Sequence, residues 1–100
     1  MNHRSNKCIA ERRVILTAIA RDALRFMSET LNDLGWTEIE VSQFGLTAQL
    51  NIRGQHVIVV TCLPCDPTNT ELLITISSVN GAPIEEQVLE SINVLNELTE

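Results

Sequence analysis

Apolar residues recur at helical spacing over the first third of the chain. Ile9, Leu16, Ile19, Ala20, Ala23, Leu24, Met27, Leu31 and Leu34 fall on one stripe when residues advance by about 100°, while Arg21 and Arg25 project from the opposite side. This pattern predicts a helix from about Lys7 to Leu34, with Ser5 or Asn6 as candidate caps and residues 1–6 as a mobile lead. Gly35 is placed to take the left-handed conformation after the last turn, which lets Trp36 fold back onto the helix.

Beyond Trp36 the period changes. Glu38-Ile39-Glu40-Val41-Ser42 reads as a short lead-in. From Leu46 to Ile52 the even positions Leu46, Ala48, Leu50 and Ile52 are apolar and Thr47, Gln49 and Asn51 are polar, as in a half-buried strand. After the turn at Arg53-Gly54-Gln55, the run from His56 to Cys62 is apolar on both parities, with Val57 and Val59 against Ile58 and Val60. A central strand covered on both faces has that pattern. Leu63 to Thr70 reads as a loop because Pro64 and Pro67 lack the N–H that a ladder needs. Glu71 to Val79 forms the third strand.

A turn at Asn80-Gly81-Ala82 leads to Pro83, which suits the first position of a second helix, with Glu85 and Glu86 complementing its dipole in the first turn. Ile84, Val88, Ile92 and Leu95 mark its buried stripe to about Leu98, with Leu89 at the edge. The expected fold is therefore α+β: N-terminal helix, three-stranded antiparallel meander, C-terminal helix (αβββα), forming a single domain over residues 1–100. Two helices cover one face of so small a sheet, yet the middle strand is apolar on both. A second protomer or a partner segment is expected to supply the missing layer.

Composition sharpens that expectation. An apolar content of 44% supports a packed core. No apolar run approaches the roughly 20 residues that span a bilayer, and the first residues lack the apolar stretch of a secretory signal. A cytoplasmic protein without a membrane partner is expected. Three cysteines (Cys8, Cys62, Cys65) cannot all pair within one chain, which favours a reducing compartment. The net charge of −6 is unevenly spread: Arg53 is the one basic residue after Arg25, against eleven acids. Nucleic acid is a poor partner for such a body, and the N-terminal arginines have no neighbouring aromatics on which bases could stack.

The candidate chemistry is sparse. Cys62-Leu63-Pro64-Cys65 has the spacing of a thiol oxidoreductase, but a strand rather than a helix is expected after it, and Asp66 opposes a thiolate. The same pair supplies half of a zinc site, which Cys8 and His56 complete only if the fold delivers them, or which a second protomer completes with its own pair. His56 reads as a solvated or hydrogen-bonded edge residue, and His3 lies in the mobile lead. Ser42, Ser77 and Ser78 occupy no strand-to-helix elbow; Glu85, Glu86 and Glu90 read as helix-start surface. No catalytic residue, metal ligand or cofactor is expected, and the chain is not read as an enzyme.

The order of elements resembles a known family. A helix ending in Leu34-Gly35-Trp36, strands through Leu46–Ile52, His56–Cys62 and Glu71–Val79, and a helix opened by Pro83-Ile84 and closed at Leu95-Asn96 are similar to the opening portion of type III secretion chaperones of the small acidic class. The resemblance covers about residues 10–98; that family adds two strands and a third helix. It implies a homodimer that holds an unfolded stretch of another protein in apolar grooves. The reading is then a non-catalytic protein-binding module acting as a homodimer. Val57 and Val59 on the middle strand and Leu89 and Ile92 on the second helix are the candidate partner-binding residues. Two alternatives stand beside it. One is an acidic inhibitor that offers Glu71, Glu85, Glu86, Glu90, Glu97 and Glu100 to a nucleic-acid-binding partner. The other is a thiol-redox or zinc protein using Cys62 and Cys65.

Overall fold

Five strands form where the sequence pattern predicts three, and the first is the segment whose spacing reads as helix. The computed structural model describes residues 6–99, with the side chains of Pro64 and Cys65 outside that description. In chain order the elements are β1 (Asn6–Leu16), α1 (Ala20–Asp33), β2 (Thr37–Ser42), β3 (Gly45–Asn51), β4 (Gln55–Asp66), β5 (Asn69–Val79) and α2 (Glu86–Leu98). All neighbouring strands are antiparallel, in the order β1-β5-β4-β3-β2. β2 to β5 make a meander, β1 docks beside β5, and α1 carries the chain from one sheet edge to the other.

The αβββα expectation is thus corrected at three places, each with a physical cause. First, residues 6–16 are β1 rather than the start of a helix. Its inward positions are Ala10, Arg12, Val14 and Leu16, so an arginine occupies a slot where a strand pattern would show an apolar residue. Arg12 is accommodated because its Nε donates to Asn96 Oδ1 of α2 at 2.6 Å. A register shift between Cys8 and Ala10 further disguises the alternation. Of the expected mobile lead only Asn6 is described; it opens β1 opposite Val79, and residues 1–5 lie outside the described residues.

Second, the lead-in is a full edge strand, β2, whose Glu40, Val41 and Ser42 pair with Thr47, Leu46 and Gly45. Third, β4 continues through Pro64 to Asp66, where a loop was expected. Pairing of β3 with β4 ends at Thr61, followed by one bond from the Cys62 amide to the Phe44 carbonyl, so the overhang from Leu63 onward has β5 on one side only. A proline is tolerated where no second neighbour asks for its N–H. The chain then turns at Pro67-Thr68 through Asp66 Oδ1, which accepts from the Thr68 and Asn69 amides at 2.8 Å each.

The helix ends repay separate attention. Gly35 has φ +97°, the Trp36 amide donates to the Leu31 carbonyl at 3.0 Å, and the Gly35 amide donates to Asn32 at 3.1 Å. These two bonds make a Schellman cap, as the sequence predicts for Gly35 and Trp36. Trp36 is fully buried, and its Nε1–H donates to Ser91 Oγ at 2.8 Å, tying the end of α1 to α2. α2 opens at Glu86 rather than Pro83. Pro83 and the half-exposed Ile84 precede it, and Glu85 turns away from the helix dipole to pair with Arg53.

One core results. Leu46, Ala48, Leu50, Ile58, Val60, Leu72, Ile74 and Ile76 point from the sheet toward Ala23, Leu24, Met27 and Leu31 of α1 and Val88 and Leu95 of α2. Both helices therefore lie on one face. Among the described residues, no layer lies above side chains of the other parity. Among the described residues no helix is long and apolar enough to cross a membrane.

Gly45, opening β3, lies against the backbone of β4: a Cβ built there would collide with the Val60 carbonyl oxygen. Neither backbone can retreat without breaking the ladder. Gly45→Ala is expected to destabilise the domain by about 3 kcal/mol, measured by urea unfolding. An unchanged midpoint would contradict the close approach.

Candidate functional site

The uncovered face of the sheet is built from cross-strand rows set by register. One row runs Glu40, Thr47, Val59, Thr75, Glu11; the next runs Ser42, Gly45, Thr61, Leu73, Arg13. Leu63, Glu71 and Ile15 make a third, and Gln49, Val57, Ser77 and Cys8 lie on the other side of the first. Diagonal neighbours on such a face are about 7–8 Å apart, within reach of one another's side chains. Val57, Val59 and Leu73 thus connect diagonally to Leu63 and Ile15 as an apolar band.

Exposure rises toward one end of that band. Val59 is 41% exposed, Leu63 45% and Ile15 61%. Phe44, in the turn between β2 and β3, is 71% exposed and is fixed beside the band by its carbonyl, which accepts from the Cys62 amide at 2.8 Å. A shallow hollow on this face is bounded by Phe44, Glu40, Thr47, Val59 and Thr61. Arg13 and Glu71 form an ion pair at 2.9 Å within the face, between Leu73 and Ile15. Threonine, serine and glutamine fill the remaining positions, as on an antiparallel sheet with one wet side. The surface offers apolar contact at one end and hydrogen bonding at the other.

The four residues proposed from sequence do not form one surface. Val57 and Val59 lie on the uncovered face, with Val57 half-buried by its neighbours. Ile92 packs against the core from α2, and Leu89 is exposed on that helix, on the opposite side of the sheet. Ile58 and Val60 are sealed in the core. Sequence reading missed Ile15, Leu63, Leu73 and Phe44. Ile15 lies in the stretch whose spacing reads as helix and Leu63 in the one that reads as loop, while the parity of the third strand does point to Leu73.

The remaining candidates are dispersed. Cys62 is buried in the core, and burial pushes its thiol pKa up, against a reactive thiolate. Cys8 is exposed on the other face. His56 and Cys62 share the inner face but stand six residues apart on β4, about 20 Å along a strand. No group of three or more metal-ligating side chains forms among the described residues, of which the Cys65 side chain is not one. The acids do not converge either. Glu71 pairs with Arg13, Glu85 is buried against Arg53, and Glu86, Glu90 and Glu97 lie exposed on α2; Glu100 lies outside the described residues.

His56 is fully buried, where the sequence reading places it at a solvated or hydrogen-bonded edge, and neither ring nitrogen has a hydrogen-bond partner among the described residues. Glu85 lies close enough for its carboxyl to feel the imidazole. Arg53 holds that same carboxylate through Nε at 3.0 Å and Nη2 at 3.2 Å, which lowers the Glu85 pKa and raises that of Arg53. Comparison of the chain with known protein families, with curated proteins and with solved structures gives no match.

Two outcomes follow from these polar groups. His56→Leu removes two unpaired ring nitrogens at similar volume and is expected to stabilise the fold by about 1 kcal/mol in urea unfolding. A loss of stability would mean that the ring has a partner. Asp66, bonded by the Asn69 side chain, the Thr68 and Asn69 amides and the Thr68 hydroxyl, has its pKa lowered from 3.8 to about 2. Because the folded value is the lower one, its contribution is present above the unfolded value and is lost as pH falls toward 2. Thermal midpoints of the wild type should therefore fall more steeply between pH 5 and pH 2 than those of Asp66→Asn. Parallel curves would refute the assignment.

Proposed function

We propose that this protein is a non-catalytic protein-binding module whose uncovered sheet face packs against a second copy of the chain. The observation that carries this reading is the connected band of Val57, Val59, Leu73, Leu63 and Ile15 left without a covering layer. Two such sheets stack face to face with their strands nearly aligned, about 10 Å apart, and bury both bands at once. Arg13 and Glu71 lie within the face, and a two-fold axis passing beside them would let each meet its counterpart's opposite charge and so set the angle. A chaperone-like or adaptor role, as the family resemblance implies, is a form of this reading in which the dimer presents its outer surfaces to another protein.

The two alternatives have less behind them. An acidic inhibitor needs carboxylates arrayed like phosphates, and two of the candidate acids are already paired with arginine. A thiol-redox role needs an accessible, acidified thiol, whereas Cys62 is buried with its pKa raised.

Light scattering coupled to size exclusion is expected to return a dimer at tens of micromolar. Val59→Lys, at a half-exposed position, should weaken that dimer at least about tenfold while leaving the circular dichroism unchanged. A monomer throughout, or a dimer indifferent to Val59→Lys, overturns the reading. High salt separates it from charge mimicry: apolar packing persists, whereas a carboxylate-based contact dissociates.

A further inference from the structure

The two edges of the sheet differ. At β1 the Arg12 Nη1 donates to the Glu11 carbonyl at 2.8 Å, so a guanidinium occupies a main-chain acceptor of that strand. At β2 no such plug is present among the described residues. β2 is the terminal strand, and all of its side chains but Ile39 are exposed.

β2 also has two chemically distinct sides. Val41 pairs with Leu46 and so faces the helices, where it lines two adjoining hollows between β2 and α1. Ala20 and Leu24 add apolar wall to one hollow, and Arg21 and Arg25 stand over the other. Arg25 is engaged with Asp22 at 2.6 Å, while Arg21 has no partner among the described residues. Glu40 pairs with Thr47 and so faces the opposite side of the sheet. A strand added beside β2 would therefore meet an apolar cleft with a guanidinium rim on one side and a carboxylate on the other.

We propose that the free edge of β2 and the cleft between β2 and α1 bind an extended segment of a partner protein, in which basic residues alternate with apolar and acidic ones. Main-chain bonds to Ile39–Ser42 supply affinity, and the alternation supplies selectivity. Basic side chains meet Glu40, while apolar and acidic ones enter the cleft toward Val41 and Arg21. The bulge at Glu38, where φ is +50° and the register shifts, limits pairing to the regular residues beyond it. Because β2 carries two glutamates, two copies of this edge repel one another, and a complementary strand is preferred.

The probe is the peptide Lys-Val-Lys-Glu-Lys-Val-Lys-Glu-Lys, titrated into the isotope-labelled protein. A scrambled peptide, Lys-Lys-Lys-Val-Val-Lys-Glu-Glu-Lys, carries the same charge without alternation. The expected result is binding with amide shifts at Ile39–Ser42 and about tenfold weaker binding of the scrambled peptide. Arg21→Glu and Glu40→Lys, both at exposed positions, should each weaken the alternating peptide about five- to tenfold without altering the free protein's spectrum beyond the site. No binding at millimolar peptide, equal binding of the two peptides, shifts centred on Val59 and Leu73, or indifference to both variants would each overturn the proposal. Failure here leaves the face-to-face dimer standing, since Val59→Lys tests the middle of the uncovered face, whereas Arg21→Glu alters only the helix side of the β2 edge.

Discussion

The pairing of β1 with β5 is the constraint on which the remaining architecture depends. It joins the first strand to the last in a ladder running from Asn6 opposite Val79 to Leu16 opposite Thr70. With β1 held at one edge and β2 at the other, α1 has to cross the sheet, and that crossing places Leu24, Met27 and Leu31 over the centre. α2 then packs beside it, joined through the Trp36–Ser91 bond, and Arg12 reaches it through Asn96. A single arginine on β1 thus takes part in both the sheet and the helical layer.

The placement of both helices on one face decides which surface is left uncovered. A five-stranded sheet has more area than two helices can cover twice over, so one parity of side chains is left to solvent or to a partner. Along most of that face threonine, serine and glutamine make water an acceptable neighbour. At the end bearing Ile15, Leu63 and Phe44 they do not, and there the apolar contacts proposed for self-association concentrate.

How much of this could be read beforehand varied with how plainly each residue's side chain reports its environment. β3 follows strict alternation, and Leu46, Ala48 and Leu50 are buried as expected, whereas Ile52, expected on the same face, lies past the end of the strand and is half-exposed. Gly35 and Trp36 announced a helix end because left-handed geometry and a following apolar residue leave few other options. β1 stayed hidden since Arg12 fills an inward slot by virtue of a partner 84 residues away, which no local window contains. β2 has no buried residue to betray a face, and Pro64 masks the end of β4 because its tolerance depends on where β3 stops. Of the apolar band on the uncovered face, Val57 and Val59 are visible from the double-sided apolar run. Their companions Ile15 and Leu63 were lost with the elements that contain them.

The antiparallel ladder at one edge also dictates an order of events during synthesis. β1 leaves the ribosome before the other elements, yet the strand that satisfies its backbone is completed only when Val79 has emerged, so a nascent chain carries β1 unpaired while β2 to β5 are being made. Two chains growing side by side can trade that segment, since Thr17–Ile19 is a short tether and the receiving groove beside β5 is identical in each. Exchange of β1 between nascent copies is thus the route by which this topology would misassemble.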